Sequence, residues 1–425
     1  MPVDAGEAKT VASVVELPSG PRHQVFVYIG ALTLLRPFTT IWGMTTSFLL
    51  KDQMHLGQPA VALYALLVGI PAYIGFLFGF VRDRWSPFGR RDQGFLLLAF
   101  GLMTLLFVVL GASPIAYGVL LTAGLTKATL EQFANAGQQG LTSVLGQAHV
   151  MSGRLAALWK SAGSAPSLVV PVIAGYCSVH LAPAVTFRLT AGVCLCLFGY
   201  ACWRPRAVYG DPAESRAIEP RPLWTEARRL AQAPGVLVCV LLLFLWNFTP
   251  GVGTPLQFYM TDNLHGTAQD FGLFDGIFGA CFVPTMLLHG FLCTRFPLRS
   301  ILWASTIFAV PQILPLLMVH SATSAVIAAV PMGLMGGFAT AAYFDLLIRA
   351  CPSGLQGTAM LLGAAIWALS DALGNIAGAY LQKVGGFSLC AWTTFAVYAC
   401  LLPVLLLVPR HLTATRDGQA VPAAA

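Results

Sequence analysis

Twelve long apolar runs with short polar gaps between them fill most of the chain: 25–50, 59–81, 94–111, 114–140, 160–180, 184–203, 235–260, 270–293, 300–319, 324–348, 356–382 and 388–408. Each is near the roughly 20 residues that a helix needs to cross a bilayer's hydrocarbon layer. The runs are far too long for barrel strands, and lipid offers no partner to an unpaired backbone amide, so helices are the predicted element. The first run is too long for the apolar core of a cleavable leader and should stay as the first pass. The pattern therefore predicts an all-α polytopic membrane protein with twelve transmembrane helices.

Lys and Arg in the short gaps set the direction of the passes. An even number of passes puts both ends on one side. Of the 24 Lys and Arg residues, 19 fall on the side of the termini, three (Lys51, Arg188, Lys383) on the other, and two (Arg36, Lys127) inside runs. This bias predicts cytoplasmic termini in a bacterial inner (plasma) membrane. Lys160 and Arg188, near the edges of the fifth and sixth runs, count here as loop residues.

Residues 204–234 form the long polar stretch that divides the runs six and six. The expected segments are a tail (1–24), a first bundle (25–203), a linker (204–234), a second bundle (235–408) and a second tail (409–425). "SFLLKD" (47–52) and "QFYMTD" (257–262) end the first and seventh runs 210 residues apart, and "FGFVRDR" (78–84) and "HGFLCTR" (289–295) end the second and eighth 211 apart. Two echoes at nearly one offset point to duplication. Six plus six with parallel halves is similar to the architecture of the major facilitator superfamily. The loop "GFVRDRWSPFGRR" resembles that superfamily's signature at Gly79, Asp83, Arg84, Gly89, Arg90 and Arg91. The resemblance implies a conformational latch there, with Asp83 either accepting hydrogen bonds from basic groups or facing a helix N-terminus of the other half. The second half has Thr294 where the aspartate would stand, so its own latch is expected to be degraded or absent.

Residues 244–276 and 351–380 resemble the folate–biopterin transporter family. Trp246, Thr249-Pro250, Phe258, Tyr259, Cys351-Pro352, Gly354 and Gly357-Thr358 carry the resemblance, together with a lengthened loop before Gly89. Gln356 replaces an acidic residue usual in that family. Sugar–cation symporters and pigment-assembly proteins share the longer loop and stay open as alternatives, as does an efflux antiporter.

Composition agrees with lipid as the solvent. Only 10% of residues are charged, against about 25% in soluble domains. The net charge of +7 is spread through short gaps, which excludes a nucleic-acid arm. The ten cysteines show no metal spacing, so no metal or cofactor is expected. No histidine is expected near the acidic residues within the runs, and no enzyme activity is expected. The partners expected are lipid, a small solute and a coupling ion, a proton, with the chain a monomer.

The charges inside the runs avoid the third and ninth, as a central water-filled cavity requires. At 100° per residue Lys127, Glu131, Asn135 and Gln138 share one helix face, and Asp371 and Asn375 share another. Arg36, Lys127, Asn247 and Asp371 fall near the middle of their runs. The expected solute site is Arg36, Thr40, Lys127, Asn135, Gln138, Trp246, Asn247, Trp367 and Asn375, with Glu131 and Asp371 as proton carriers. Pro166 and Pro171 should bend the fifth helix.

Overall fold

A computed structural model describes residues 18–56, 58–210 and 223–419. The passes are α1 (Ser19–Lys51), α2 (Leu63–Arg84), α3 (Arg91–Leu110), α4 (Tyr117–Ala148), α5 (Ser152–His180) and α6 (Pro183–Cys202). In the second half they are α7 (Pro234–Asn247, resuming at Thr254–Phe258), α8 (Ala268–Leu292), α9 (Leu298–Met318) and α10 (Ala322–Ala350). The continuous segment Gln356–Leu405 serves as two passes, α11 (356–384) and α12 (387–405). The chain reverses at Gly385 and Gly386, and Gly386 takes φ +70°. The Cys390 thiol reaches the Gly378 carbonyl at 3.3 Å, whereas twelve residues of straight helix would span about 18 Å. Each of the twelve predicted runs thus falls on helix, consistent with twelve passes. Nine described helices are long and apolar enough by themselves to cross a membrane. α4 carries too many polar residues to count among them, and α7 is interrupted.

The two halves repeat each other in backbone detail. α1 and α7 both end in a π-turn, at Leu49–Gln53 and Tyr259–Asn263. In each, a wide hydrogen bond follows, Met54 to Leu49 and Leu264 to Tyr259. His55 and His265 then share φ of 52°, an uncommon conformation for a residue with a side chain. The offset is 210 throughout, as in the sequence echo. The helices are also broken at comparable depth. α1 tightens to a 3₁₀ turn over Arg36–Thr40, with Pro37 supplying the fixed φ, and α7 opens between Asn247 and Thr254, around Pro250. α5 has its 3₁₀ turn at Ala165–Ser167, where Pro166 removes a backbone donor.

Each half owns a core. One buried cluster runs from Val25 to Val208, and two others lie in the second half. Ala156 and Trp159 of α5 join the second half's core. The halves meet closely at the end where the described chain begins and stops. There α5 and α8 touch through small residues: a Cβ on Gly153 would lie 2.8 Å from Cys293, and one on Gly290 2.9 Å from Ala157.

Two expectations about this end are corrected. Lys160 is not in a loop, because α5 starts at Ser152 and carries it two turns into the pass. His289 of α8 faces Asp345 of α10 at 3.5 Å, so a histidine within the passes does lie beside a carboxylate. The segment after α12 turns back and docks, with the Asp417 amide donating to the Cys293 carbonyl and that of Gly418 to Val150.

Candidate functional site

The first bundle assembles a polar chain around Arg36. Its guanidinium is held where α1 tightens, and its fork donates to the Gln138 side-chain oxygen at 2.5 Å and the Asn135 oxygen at 2.7 Å. Gln138 is fully buried and passes its own N–H to the Thr33 hydroxyl, which donates to the Ile29 carbonyl. The spacing of three residues between Asn135 and Gln138 puts both amides on one helix face, where a planar fork can take them together. One turn further along α4, Lys127 and Glu131 form an ion pair. Lys127 is buried, while the Glu131 side chain keeps 30% of its exposure. Glu131 also lies within electrostatic range of Arg36. Lys127 and Glu131 cancel, so Arg36, whose hydrogen-bond partners are neutral amides, leaves this cluster with one net positive charge.

The second bundle's predicted residues are arranged differently. The Asn247 side chain donates to the Trp367 carbonyl at 2.8 Å, and the Asn375 oxygen accepts from the Thr254 amide at 3.0 Å. These two bonds pin the ends of the break in α7 onto α11, and the second satisfies the Thr254 amide, which a broken helix would otherwise leave open. Trp246 does not face a chamber. It is 3% exposed, stacks on Tyr398 and donates its indole N–H to Thr340, which makes it a core residue. Trp367 is half-buried beside Phe344. Asp371 is exposed, and no side-chain bond or ion pair joins it to Arg36 or Glu131. Thr40 is also exposed, bonded within its own turn to Pro37. Thus Arg36, Lys127, Glu131, Asn135 and Gln138 come together, whereas Thr40, Asp371, Asn375 and Trp246 are not linked to them.

Two carboxylates cross between the bundles at the terminus-bearing end. Asp83, at the end of α2, accepts from the Gly357 amide (3.1 Å), the Thr358 amide (2.8 Å) and the Thr358 hydroxyl (2.6 Å), all at the start of α11. Unpaired amides and the helix dipole both favour an anion there. Arg82 sits between Asp83 (2.7 Å) and Asp92 (2.6 Å). A Cβ on Gly79 would stand 2.5 Å from the Thr358 Cα, so only glycine lets α2 come this close. Gly89, at φ +65°, turns the loop, the Arg91 amide bonds Ser86, and Arg90 is exposed.

The mirror contact is made by Asp417. It accepts from the Gly153 amide (3.0 Å) and the Arg154 amide (2.9 Å) at the start of α5, and from Arg349 at 3.2 Å. Arg349 also grips Asp345 at 2.8 Å. The place in the second half equivalent to Asp83 makes no such contact. Thr294 only caps its own helix by bonding Phe291, and the docked tail brings a carboxylate to the α5 N-terminus instead. Gln356 bonds Gln147, which in turn donates to the Ile348 and Cys351 carbonyls. Arg82, Asp92, Gln147 and Asp417 carry these contacts without having been singled out from sequence. The "RDQ" at 91–93 was a readable hint for Asp92, but nothing in the tail's pattern marks Asp417.

Residues 251–423 match the sequence model of the Major Facilitator Superfamily. Among characterised proteins, Folate transporter 1 of Plasmodium falciparum (isolate 3D7) is 22% identical over 311 residues. That alignment takes in 68% of this chain and 57% of the relative, so the chain spans little more than half of that protein's length. Among solved structures, the human organic anion transporter MFSD10 (TETRAN) superposes with a TM-score of 0.62 at 16% identity, covering 92% of this chain and all of that one. FucP, a transporter of the same superfamily captured in its outward conformation, gives 0.65 at 13% identity, covering 91% and 98%.

Proposed function

We propose that this chain, which has the major facilitator fold, is a secondary transporter that moves a small organic anion by alternating access. The observation that carries the reading is Arg36, a cation inside a membrane pass whose hydrogen-bond partners are uncharged amides. An intramembrane charge costs at least about 2.5–3.5 kcal/mol, and a hydrogen-bonding role alone would be met by a neutral side chain. A solute carboxylate or phosphate gives the charge its counter-ion. The bundle contacts at the terminus-bearing end support the second half of the proposal, because each is made of groups that can part as two rigid bodies rock.

In this reading the termini are cytoplasmic in an inner membrane, and the closed end faces the cytoplasm. Solute enters from outside and settles against Arg36. Glu131 is the proton carrier. It is tied to Lys127 but exposed enough to exchange a proton, and an anion that draws on the cationic pair weakens the hold on its carboxylate. The name of the Plasmodium relative makes folates and pterins the first solutes to try. Purified protein in proteoliposomes is loaded with unlabelled folate, pterin or aromatic acid, and counterflow of the labelled compound is followed. Accumulation of at least one of them supports transport, and no counterflow across the whole panel counts against it. Glu131→Gln should abolish acceleration by an inward proton gradient while leaving counterflow intact. Gradient-driven uptake that survives the substitution removes Glu131 from the coupling step.

A further inference from the structure

Lys160 lies two turns inside α5, where it is half-buried. Its ammonium nitrogen is 3.3 Å from the centre of the Phe344 ring, 4.8 Å from that of Trp159 and 5.1 Å from that of Trp367. These rings come from both bundles: α5, α10 and α11. Phe344 meets Trp159 edge-on at 5.3 Å and Trp367 at 5.7 Å, so the rings form a continuous aromatic wall. No carboxylate lies within ion-pair distance of Lys160 among the described residues, and its nitrogen donates no hydrogen bond to them.

An ammonium has three N–H donors and no acceptor capacity. Ring faces attract its charge but do not replace the anion and hydrogen bonds that a cation taken out of water requires. The position is equally telling. Three residues towards the closed end on α5 is Ala157, which a Cβ on Gly290 would meet at 2.9 Å, and three residues the other way is Gly163, where an added Cβ would stand 3.5 Å from the methyl of Thr33, a member of the Arg36 chain. At 1.5 Å per residue each lies about 4.5 Å along the axis. Lys160 therefore stands along α5 between the gate and the level of the polar chain.

We propose that Lys160 and its rings form a subsite for a planar aromatic carboxylate. The acid group takes the ammonium's N–H donors. The ring of the solute lies against Trp367, the most accessible of the three aromatic faces, whose backbone Asn247 holds in place. The inference rests on the transport proposal and adds the shape of the solute and a second cation for its acid group. It also assigns part of the solute's recognition to α5, α10 and α11, away from Arg36. Because the rings belong to both halves, a solute held there bridges the two bundles and reports their separation.

Calorimetric titration of the purified full-length protein tests this with 2-naphthoate, its saturated counterpart decahydronaphthalene-2-carboxylate and uncharged 2-naphthamide. The wild type should bind 2-naphthoate best. Lys160→Met should weaken that binding at least tenfold while leaving the melting temperature unchanged or higher, since an unpaired charge has been removed. Trp367→Leu should abolish the preference for the flat acid over the saturated one. Equal naphthoate affinity in Lys160→Met and wild type overturns the subsite, and a lower melting temperature alongside that result makes Lys160 a structural staple. If counterflow of a labelled folate continues in the wild type while no naphthoate binds, the subsite falls and transport stands. Absence of both removes the transport reading as well.

Discussion

Replacing Asp417 by alanine should open the closed end of the molecule. The carboxylate accepts two backbone N–H bonds at the start of α5, 3.0 and 2.9 Å long, and faces Arg349 at 3.2 Å. Hydrogen bonds to a charged group contribute about 1.5–3 kcal/mol each, and the helix N-terminus adds about 0.3–1 kcal/mol. Water satisfies the same groups once the bundles part, and Arg349 keeps Asp345 in either state. The net preference for the closed arrangement should therefore fall by about 2–4 kcal/mol. At about 1.4 kcal/mol per factor of ten, that is roughly a 30- to 700-fold rise in the open population. Cys293 supplies the readout, because it is buried at this contact and is 1% exposed. In a variant that keeps only this one of the ten cysteines, the rate of alkylation by a membrane-impermeant maleimide follows the open fraction. Asp83→Asn is the control, since it weakens the other latch without touching the surroundings of Cys293, and it should also speed labelling. Unchanged labelling in both variants, with melting temperatures intact, would refute the claim that these carboxylates hold the end shut.

Gly79→Val places atoms where a Cβ alone would be 2.5 Å from Thr358 and 2.7 Å from the Gly357 carbonyl; overpacking of this kind costs about 1–3 kcal/mol, and Cys293 labelling should rise roughly 5- to 100-fold. Arg36→Lys keeps the charge but cannot span Asn135 and Gln138 with one planar fork. One amide oxygen is then left unpaired at a cost of about 1–3 kcal/mol, visible as a lower melting temperature, and the KM for the transported anion should rise at least tenfold with a smaller change in kcat.

The passes were legible because lipid enforces a simple rule: long apolar stretches must be helices. Even the break in the pattern was informative, since the repeat seen at 47–52 and 257–262 returned as matching π-turns and matching left-handed histidines. The faces of α4 were legible as well, because 100° per residue places Lys127, Glu131, Asn135 and Gln138 without knowledge of any neighbour. What periodicity could not give is which partner a face meets. Trp246 and Trp367 read alike as half-apolar rings in neighbouring passes, yet one is spent on Tyr398 and Thr340 and the other reaches the bundle interface. Asp371 sits at the right depth but is not joined to the cations. Lys160 was hidden by its neighbourhood: with Arg154 and Ser152 close by, it read as the end of a loop, and only the helix starting at Ser152 carries it inside.

Asp83 and Asp417 are related by the duplication in what they grip, although not in where they come from. α5 and α11 occupy equivalent places in the two halves, and each presents a bare N-terminus to a carboxylate of the opposite half. The first half delivers its aspartate from the end of α2. The second half has Thr294 at the equivalent place and delivers Asp417 from beyond α12, to a point beside Cys293, the residue before Thr294. The two contacts share no residue, so each restrains the same opening independently if the bundles move as rigid bodies. In that case their energies add, and the labelling rate of Cys293 in the Asp83→Asn, Asp417→Ala double variant should equal the product of the two single-variant enhancements. A bundle that hinges internally would behave otherwise, since releasing one corner would not load the other. A double variant no faster than the faster single variant would mean that the two corners open separately and that rigid rocking is the wrong description of this chain.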